Sequence, residues 1–300
     1  MKDFGLLIVD KPVGPTSHRV VSRVRQGTGI RKVGHAGTLD PRASGVLVLC
    51  LGAATRLSEY LSASNKGYAA VVRFGASTRT YDADGEVVHR TDRSPTASQL
   101  EAILPAFQGK IVQTPPPFSA IKLQGRKAYE LARRGEQVDL QPREVTIHTL
   151  KITAFEPPDL SLFLECSAGT YVRSIAHDLG ERLGTGAHLI SLRRTQAGPF
   201  TLEDAVAWDQ LEAAFLEERA TGGAKTWESM VIPAERALPE LPPVTIDADS
   251  VALLRNGIRI SADQLAQGMA KAIGPDGELV AILQAADEGR SWHPHKVLQG

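Results

Sequence analysis

Gly34-His35-Ala36-Gly37-Thr38-Leu39-Asp40-Pro41-Arg42-Ala43-Ser44-Gly45 runs without a break into Val46-Leu47-Val48-Leu49-Cys50-Leu51. The second half is a short, continuous apolar run bounded by glycine, which predicts a buried strand over 45–51. The first half is a glycine-punctuated loop, able to bring its backbone close to a ligand. One carboxylate, Asp40, stands in that loop just before the buried element begins. Proline at 41 restricts Asp40 to extended geometry, so its side chain is confined to a narrow range of directions before any ligand arrives. A reactive acid on a rigid base fits this pattern, and so does a turn in which Asp40 caps a neighbouring amide.

Outward from the loop, 6–9 reads as a strand, Ser17 as a helix N-cap, and Val20, Val21 and Val24 as the buried stripe of a helix ending at Gly27. After the buried strand come a short helix over 54–61 and an alternating strand in which Tyr68, Ala70, Val72 and Phe74 share a face. A polar connector over 77–85 with an Asp-Gly turn leads to a strand at 86–89, and a helix is expected over 98–107. Pro115-Pro116-Pro117 marks a rigid extended segment, and Gln124-Gly125-Arg126 turns the chain into a basic helix ending near Gly135. Long strands over 145–155 and 160–167 precede a helix that ends at Leu183 and a strand over 187–194. Strands and helices mix without regular βαβ alternation, which predicts an α+β fold on a mainly antiparallel sheet. Gly27-Thr28-Gly29 follows a helix and so lacks the setting of a dinucleotide fingerprint. An acidic helical stretch over 202–219 and a proline-rich linker over 239–243 close the first domain. The remainder, with short strands, a helix over 250–256 stopped by Gly257 and a Pro275-Asp276-Gly277 turn feeding 278–284, predicts a small β-barrel-like module.

Three hundred residues fit about two domains. The chain is 42% hydrophobic and 23% charged, as in ordinary globular proteins, and no apolar run approaches the roughly 20 residues of a membrane span. The apolar run at 6–9 is too short for a signal peptide, so a cytoplasmic protein is expected. Cys50 and Cys166 sit alone in apolar segments and read as buried small hydrophobes. His293-Pro294-His295 reads as a surface turn, and no metal site is expected. Lysine and arginine balance aspartate and glutamate to a net charge of zero, yet the basic residues gather in clusters: Lys11 to Lys32, Lys122 to Arg134, and Arg173 with Arg193 and Arg194. Acidic residues gather over 203–218, so a bipolar molecule able to meet nucleic acid is expected, although any single basic cluster reads equally well as a solvated helix face.

Asp10-Lys11-Pro12-Val13-Gly14-Pro15-Thr16-Ser17, the loop from Gly34 to Gly45, Gly67-Tyr68, and Gly169-Thr170-Tyr171-Val172-Arg173 follow one another in an order and spacing that resemble the bacterial TruB tRNA pseudouridine synthases. Leu254-Arg255-Asn256-Gly257 and Gly277-Glu278-Leu279-Val280-Ala281 extend the resemblance to the PUA RNA-binding domain of that family. The resemblance implies a catalytic domain over 1–238, with a tRNA-gripping insertion at about 77–134, and a PUA-like domain over 241–300. It implies isomerisation of uridine 55 in the TΨC loop of tRNA by a monomer that needs no cofactor and no metal.

The same resemblance makes Asp40 the catalytic carboxylate, acting as nucleophile at C1′ or C6 or as base at the sugar. It pairs Arg173 with that aspartate, since a nearby cation favours the charged carboxylate. Tyr68 becomes the active-site tyrosine that stacks on uracil and helps handle the C5 proton. His35 becomes the group that fills the space left by a flipped base. Tyr171 and Leu192 are implied to line the uracil pocket, and Lys11 and Asp82 fall within family motifs. Ala36, Arg56 and Lys122 to Leu123 depart from residues common in the family, and none of them is the carboxylate. The alternative is an RNA-binding or tRNA-folding chaperone with secondary isomerase activity.

Overall fold

The computed structural model describes residues 4–119, 121–123, 125–136, 138–223 and 225–298. Its contacts divide the chain into two compact units: Met1–Pro41, Gly45–Ser62 and Ala197–Gly300 form one, Arg42–Ser44 and Ala63–Gln196 the other.

In the first unit, the strand Gly5–Lys11 pairs antiparallel with Ala43–Leu51 along its whole length, from Gly5 opposite Leu51 to Lys11 opposite Gly45. Val206–Ala207 adds in parallel to one side of Gly5–Lys11. Val33–His35 pairs with the last three residues of Ala43–Leu51. Every side chain from Val46 to Leu51 is buried, which is why the run is continuously apolar instead of alternating. The helix Ser17–Thr28 buries Val20, Val21 and Val24 as expected. Its N-cap is Thr16, not Ser17: Thr16 Oγ1 accepts from the Arg19 amide at 3.1 Å. The helix also runs past Gly27, ending at Thr28, with Gly29 supplying the left-handed C-cap at φ 72° that a side chain would resist.

The C-terminal part of this unit is a five-stranded sheet in the order Pro243–Thr245, Met269–Ile273, Leu279–Ala286, Ser291–Val297, Ile260–Ser261. The helix Ala248–Arg255 accompanies it, capped by Asp247, whose carboxylate accepts from the Ser250 amide at 2.8 Å. The central strand is continuously buried from Leu279 to Leu283 and serves two cores. Val280, Ala281 and Leu283 pack with Leu254, Ile260 and Trp292, while Leu279 and Ile282, with Leu298, join Leu6, Ile8, Val48 and Leu57. His293-Pro294-His295 lies within the strand Ser291–Val297 and is not a turn; Pro294 is buried and both histidines are exposed.

In the second unit the strand order is Ala187–Ala197, Lys66–Phe74, Asp159–Cys166, Arg143–Glu156, Gly109–Gln113. The pairings from Lys66–Phe74 to Gly109–Gln113 are antiparallel, with Tyr68 opposite Leu164. Tyr68, Ala70, Val72 and Phe74 are buried and Ala69 and Arg73 exposed, as the alternation predicts. The helix expected over 98–107 is broken in two, Ala97–Ile103 and a 3-10 turn Leu104–Phe107, because Pro105 has no amide to donate. Gly109–Gln113 is a strand that the sequence pattern does not announce: of its two apolar side chains Val112 is exposed and Ile111 only half-buried, while the polar Gln113 is the buried one.

Candidate active site

Asp40 belongs to the first unit, and the chain on each side of it is tied down. Ser17 Oγ accepts from the Leu39 amide at 2.8 Å and donates to the Leu39 carbonyl at 3.0 Å. On the other side, the Pro41 carbonyl accepts from the Gly14 amide at 2.8 Å. It also lies 3.4 Å from Lys11 Nζ, which donates to the carbonyls of Pro12 at 2.8 Å and Pro15 at 2.9 Å. Lys11 is fully buried, so its ammonium offsets its lost hydration through these backbone oxygens and in doing so fastens the 12–15 loop to the Asp40 loop at Pro41. The motif from Asp10 to Ser17 is thereby the structural floor of the Asp40 loop. Asp40 itself is half-buried. His35 ends the short strand Val33–His35, opposite Leu49.

The remaining sequence candidates lie in the second unit. Arg173 opens the helix Val172–Leu183 and is buried. Its Nη1 donates to the Thr80 carbonyl at 3.1 Å and to Asp82 Oδ2 at 3.3 Å, and its Nη2 to the Phe118 carbonyl at 3.0 Å. Asp82 is also held through its other oxygen, which accepts from Thr80 Oγ1 at 2.5 Å and from the Asp84 amide at 3.1 Å. Tyr171, immediately before the helix, is fixed by Gln113: the Tyr171 amide donates to Gln113 Oε1 at 2.8 Å, and Gln113 Nε2 donates to the Tyr171 carbonyl at 3.0 Å. The Arg143 guanidinium stands 5.0 Å from the Tyr171 ring centre, in cation–π range. Leu192 is half-buried on the strand Ala187–Ala197.

Tyr68 carries a partner that sequence reasoning missed. Arg194, 1% exposed, hydrogen-bonds the Tyr68 side chain. Lys66 is buried on the same face of the strand as Tyr68 and bonds the Ser64 carbonyl at 2.5 Å. Burial, reinforced by the Arg194 cation, pulls the Lys66 ammonium down to about 8. The Tyr68 hydroxyl thus faces a buried cation, whose attraction offsets part of the desolvation cost of any negative charge that develops there. Gln113 and the Ser17 clamp were missed as well. The signals for Ser17 were its place at a helix start and at the end of the Asp10 to Ser17 motif, and Gln113 sits on the strand that had no pattern. Cys50 and Cys166 are free and buried, and burial pushes their thiols up to about 12 and about 11, so both are inert. Among the described residues, no group of three or more His, Cys, Asp or Glu is placed to hold a metal ion, and no helix is long and apolar enough to cross a membrane. The side chains of Lys122, Lys127 and Arg133, part of one basic cluster, lie outside the described residues, as do Ala120 and Gln124.

Comparison with known proteins places three family models along the chain. Residues 25–172 match the TruB family pseudouridylate synthase N-terminal domain, 173–239 a tRNA pseudouridylate synthase B C-terminal domain, and 241–299 a tRNA pseudouridine synthase II C-terminal domain. The tRNA pseudouridine synthase B of Pseudomonas fluorescens (strain Pf0-1) is 40% identical over 95% of this chain and 93% of its own. That of Solibacter usitatus (strain Ellin6076) is 44% identical over 93% of this chain and 94% of its own. Among solved structures, a Cbf5-Nop10-Gar1 complex aligns with TM-score 0.76 at 27% identity, covering 99% of this chain and 85% of the other. An H/ACA RNP bound to a substrate RNA containing 2′-deoxyuridine aligns with TM-score 0.75 at 26% identity over 99% and 86%.

Proposed function

The chain belongs to the TruB family of pseudouridylate synthases, and from that premise we propose that it converts uridine 55 in the TΨC loop of tRNA to pseudouridine. The reaction breaks the N1–C1′ bond, turns the held uracil, and joins C5 to C1′. The C5 proton leaves and N1 gains one, so atoms balance without an oxidant or reductant. Asp40 is the carboxylate that acts on the sugar or the pyrimidine, an ionised group at a fixed position being what either role needs. Tyr68 stacks on the flipped base and takes part in the movement of the C5 proton, with Arg194 behind its hydroxyl. Arg173, at the helix start, serves with Asp40 and Tyr68 as a catalytic residue, and Tyr171 and Leu192 shape the uracil pocket. His35 occupies the space the base leaves, at an unstacking cost of a few kcal/mol. The Asp10 to Ser17 motif, Lys11 included, supports the loop.

In this reading residues 1–238 form the catalytic domain, with the insertion at about 77–134 gripping the T stem-loop, and 241–300 form an RNA-binding module. The protein works as a monomer in the cytoplasm. The observation that carries the reading is the double clamp on Asp40, which fixes Leu39 through Ser17 and Pro41 through Gly14 and Lys11. The test is mass-spectrometric mapping of pseudouridine in a T-stem-loop transcript and in an anticodon stem-loop, each incubated with the purified chain. Modification of the former alone, at the position equivalent to 55, is expected. Equal modification of both, or of neither, contradicts the substrate.

A further inference from the structure

The loop that carries Asp82 has two features the proposed chemistry leaves unused. Tyr81 takes φ 63°, a left-handed conformation that bulky side chains avoid and that persists only where surroundings enforce it. Its ring lies flat on the His177 ring, with centroids 3.8 Å apart and planes 5° from parallel. The His177 Nδ1 is buried with no hydrogen-bond partner among the described residues, so the stack is a principal hold on that ring. The Tyr81 backbone is held as well: its amide donates to the Thr78 carbonyl at 3.2 Å, and its carbonyl accepts from the Leu189 amide at 3.0 Å.

His177 stands four residues after Arg173 on the helix Val172–Leu183, so the two share one helix face. Arg173 holds the Asp82 carboxylate and His177 the Tyr81 ring. In extended backbone, side chains 81 and 82 would point to opposite sides. The left-handed turn at Tyr81 removes that alternation and lets both meet the same face. We infer that Tyr81 and His177 are positioning residues, their stack locking the 80–82 segment so that Asp82 fixes the direction of the Arg173 guanidinium. This rests on Arg173 belonging to the active site.

Turnover of a T-stem-loop transcript tests it. Tyr81→Phe keeps the ring and is expected to stay within about twofold of wild type. Tyr81→Gly, which suits the left-handed backbone but removes the ring, is expected to lower kcat about tenfold or more with KM within about threefold, since small displacements of catalytic groups are costly. His177→Ala should behave like Tyr81→Gly and serves as the second variant if that one folds poorly. In an Asp82→Asn background the Tyr81→Gly loss should shrink to less than about twofold, because both changes act through one contact. A Tyr81→Gly enzyme with wild-type kcat, or a loss undiminished in the Asp82→Asn background, overturns the inference. If Asp40→Asn remains active, the functional reading itself fails. An inactive Asp40→Asn beside a fully active Tyr81→Gly overturns the positioning role alone.

Discussion

Asp40 and Asp82 both stand on loops between strands, and the protein fixes them in opposite ways. Around Asp40 the clamps act on the neighbouring backbone: Ser17 takes both polar groups of Leu39, and Gly14 and Lys11 take the carbonyl of Pro41. Around Asp82 they act on the carboxylate, which receives Thr80, the Asp84 amide and Arg173. Clamping the neighbouring backbone sets the direction of an acid from its main chain, whereas bonds made directly to the Asp82 oxygens turn that acid into a support. The first arrangement suits a group that reacts, the second a group that steers another.

If the backbone clamp matters, its loss should damage stability and turnover together. Lys11→Met leaves buried carbonyls short of a donor and should reduce unfolding free energy by about 2–3 kcal/mol, measured by denaturant titration, with turnover falling alongside. Unchanged stability would break the comparison on the Asp40 side. Asp82→Asn should lower turnover about ten- to a hundredfold, some 1.4–2.7 kcal/mol of barrier, while leaving the denaturation midpoint nearly unmoved. A large midpoint shift would recast Asp82 as a fold residue. Ser17→Ala, which removes the hydroxyl bonded to both the amide and the carbonyl of Leu39, should cost about 1 kcal/mol, read by the same denaturant titration.

The smallest effect concerns a second buried lysine. Lys66 is held down to about 8 from an ordinary 10.5, so between those values the unfolded chain binds more protons than the folded one. Stability attributable to this group therefore rises as pH climbs from 8 towards 10.5. The difference in unfolding free energy between wild type and Lys66→Met should grow across that window, by no more than about 1.4 kcal/mol per pH unit. A flat difference would mean that Lys66 is not buried beside a like charge.

What was legible in the sequence follows the same division between backbone and side-chain control. The Gly45 to Leu51 run, the Tyr68 to Phe74 alternation and the stripe of Val20, Val21 and Val24 are periodic, and the fold obeys them. Gly109–Gln113 is an edge strand with exposed Lys110 and Val112, so its pairing with Arg143–Glu156 leaves no hydrophobic signature. The proline-rich stretch near 239–243 marks a boundary between family models, yet packing ignores it, because Leu279, Ile282 and Leu298 complete a core begun by Leu6 and Ile8. Asp40 and Arg173 are proposed on the strength of short motifs. Gln113, Arg194 and the pair Tyr81 and His177 come from distant parts of the chain, and long-range side-chain contacts have no local pattern.

Asp40→Asn tests the central claim most directly, with binding and turnover measured on the same T-stem-loop transcript. The expected result is loss of pseudouridine formation with the dissociation constant within about tenfold of wild type, a change of at most about 1.4 kcal/mol in binding free energy. Pseudouridine formation at the wild-type rate, or a collapse of binding in place of chemistry, would contradict the role given to this carboxylate.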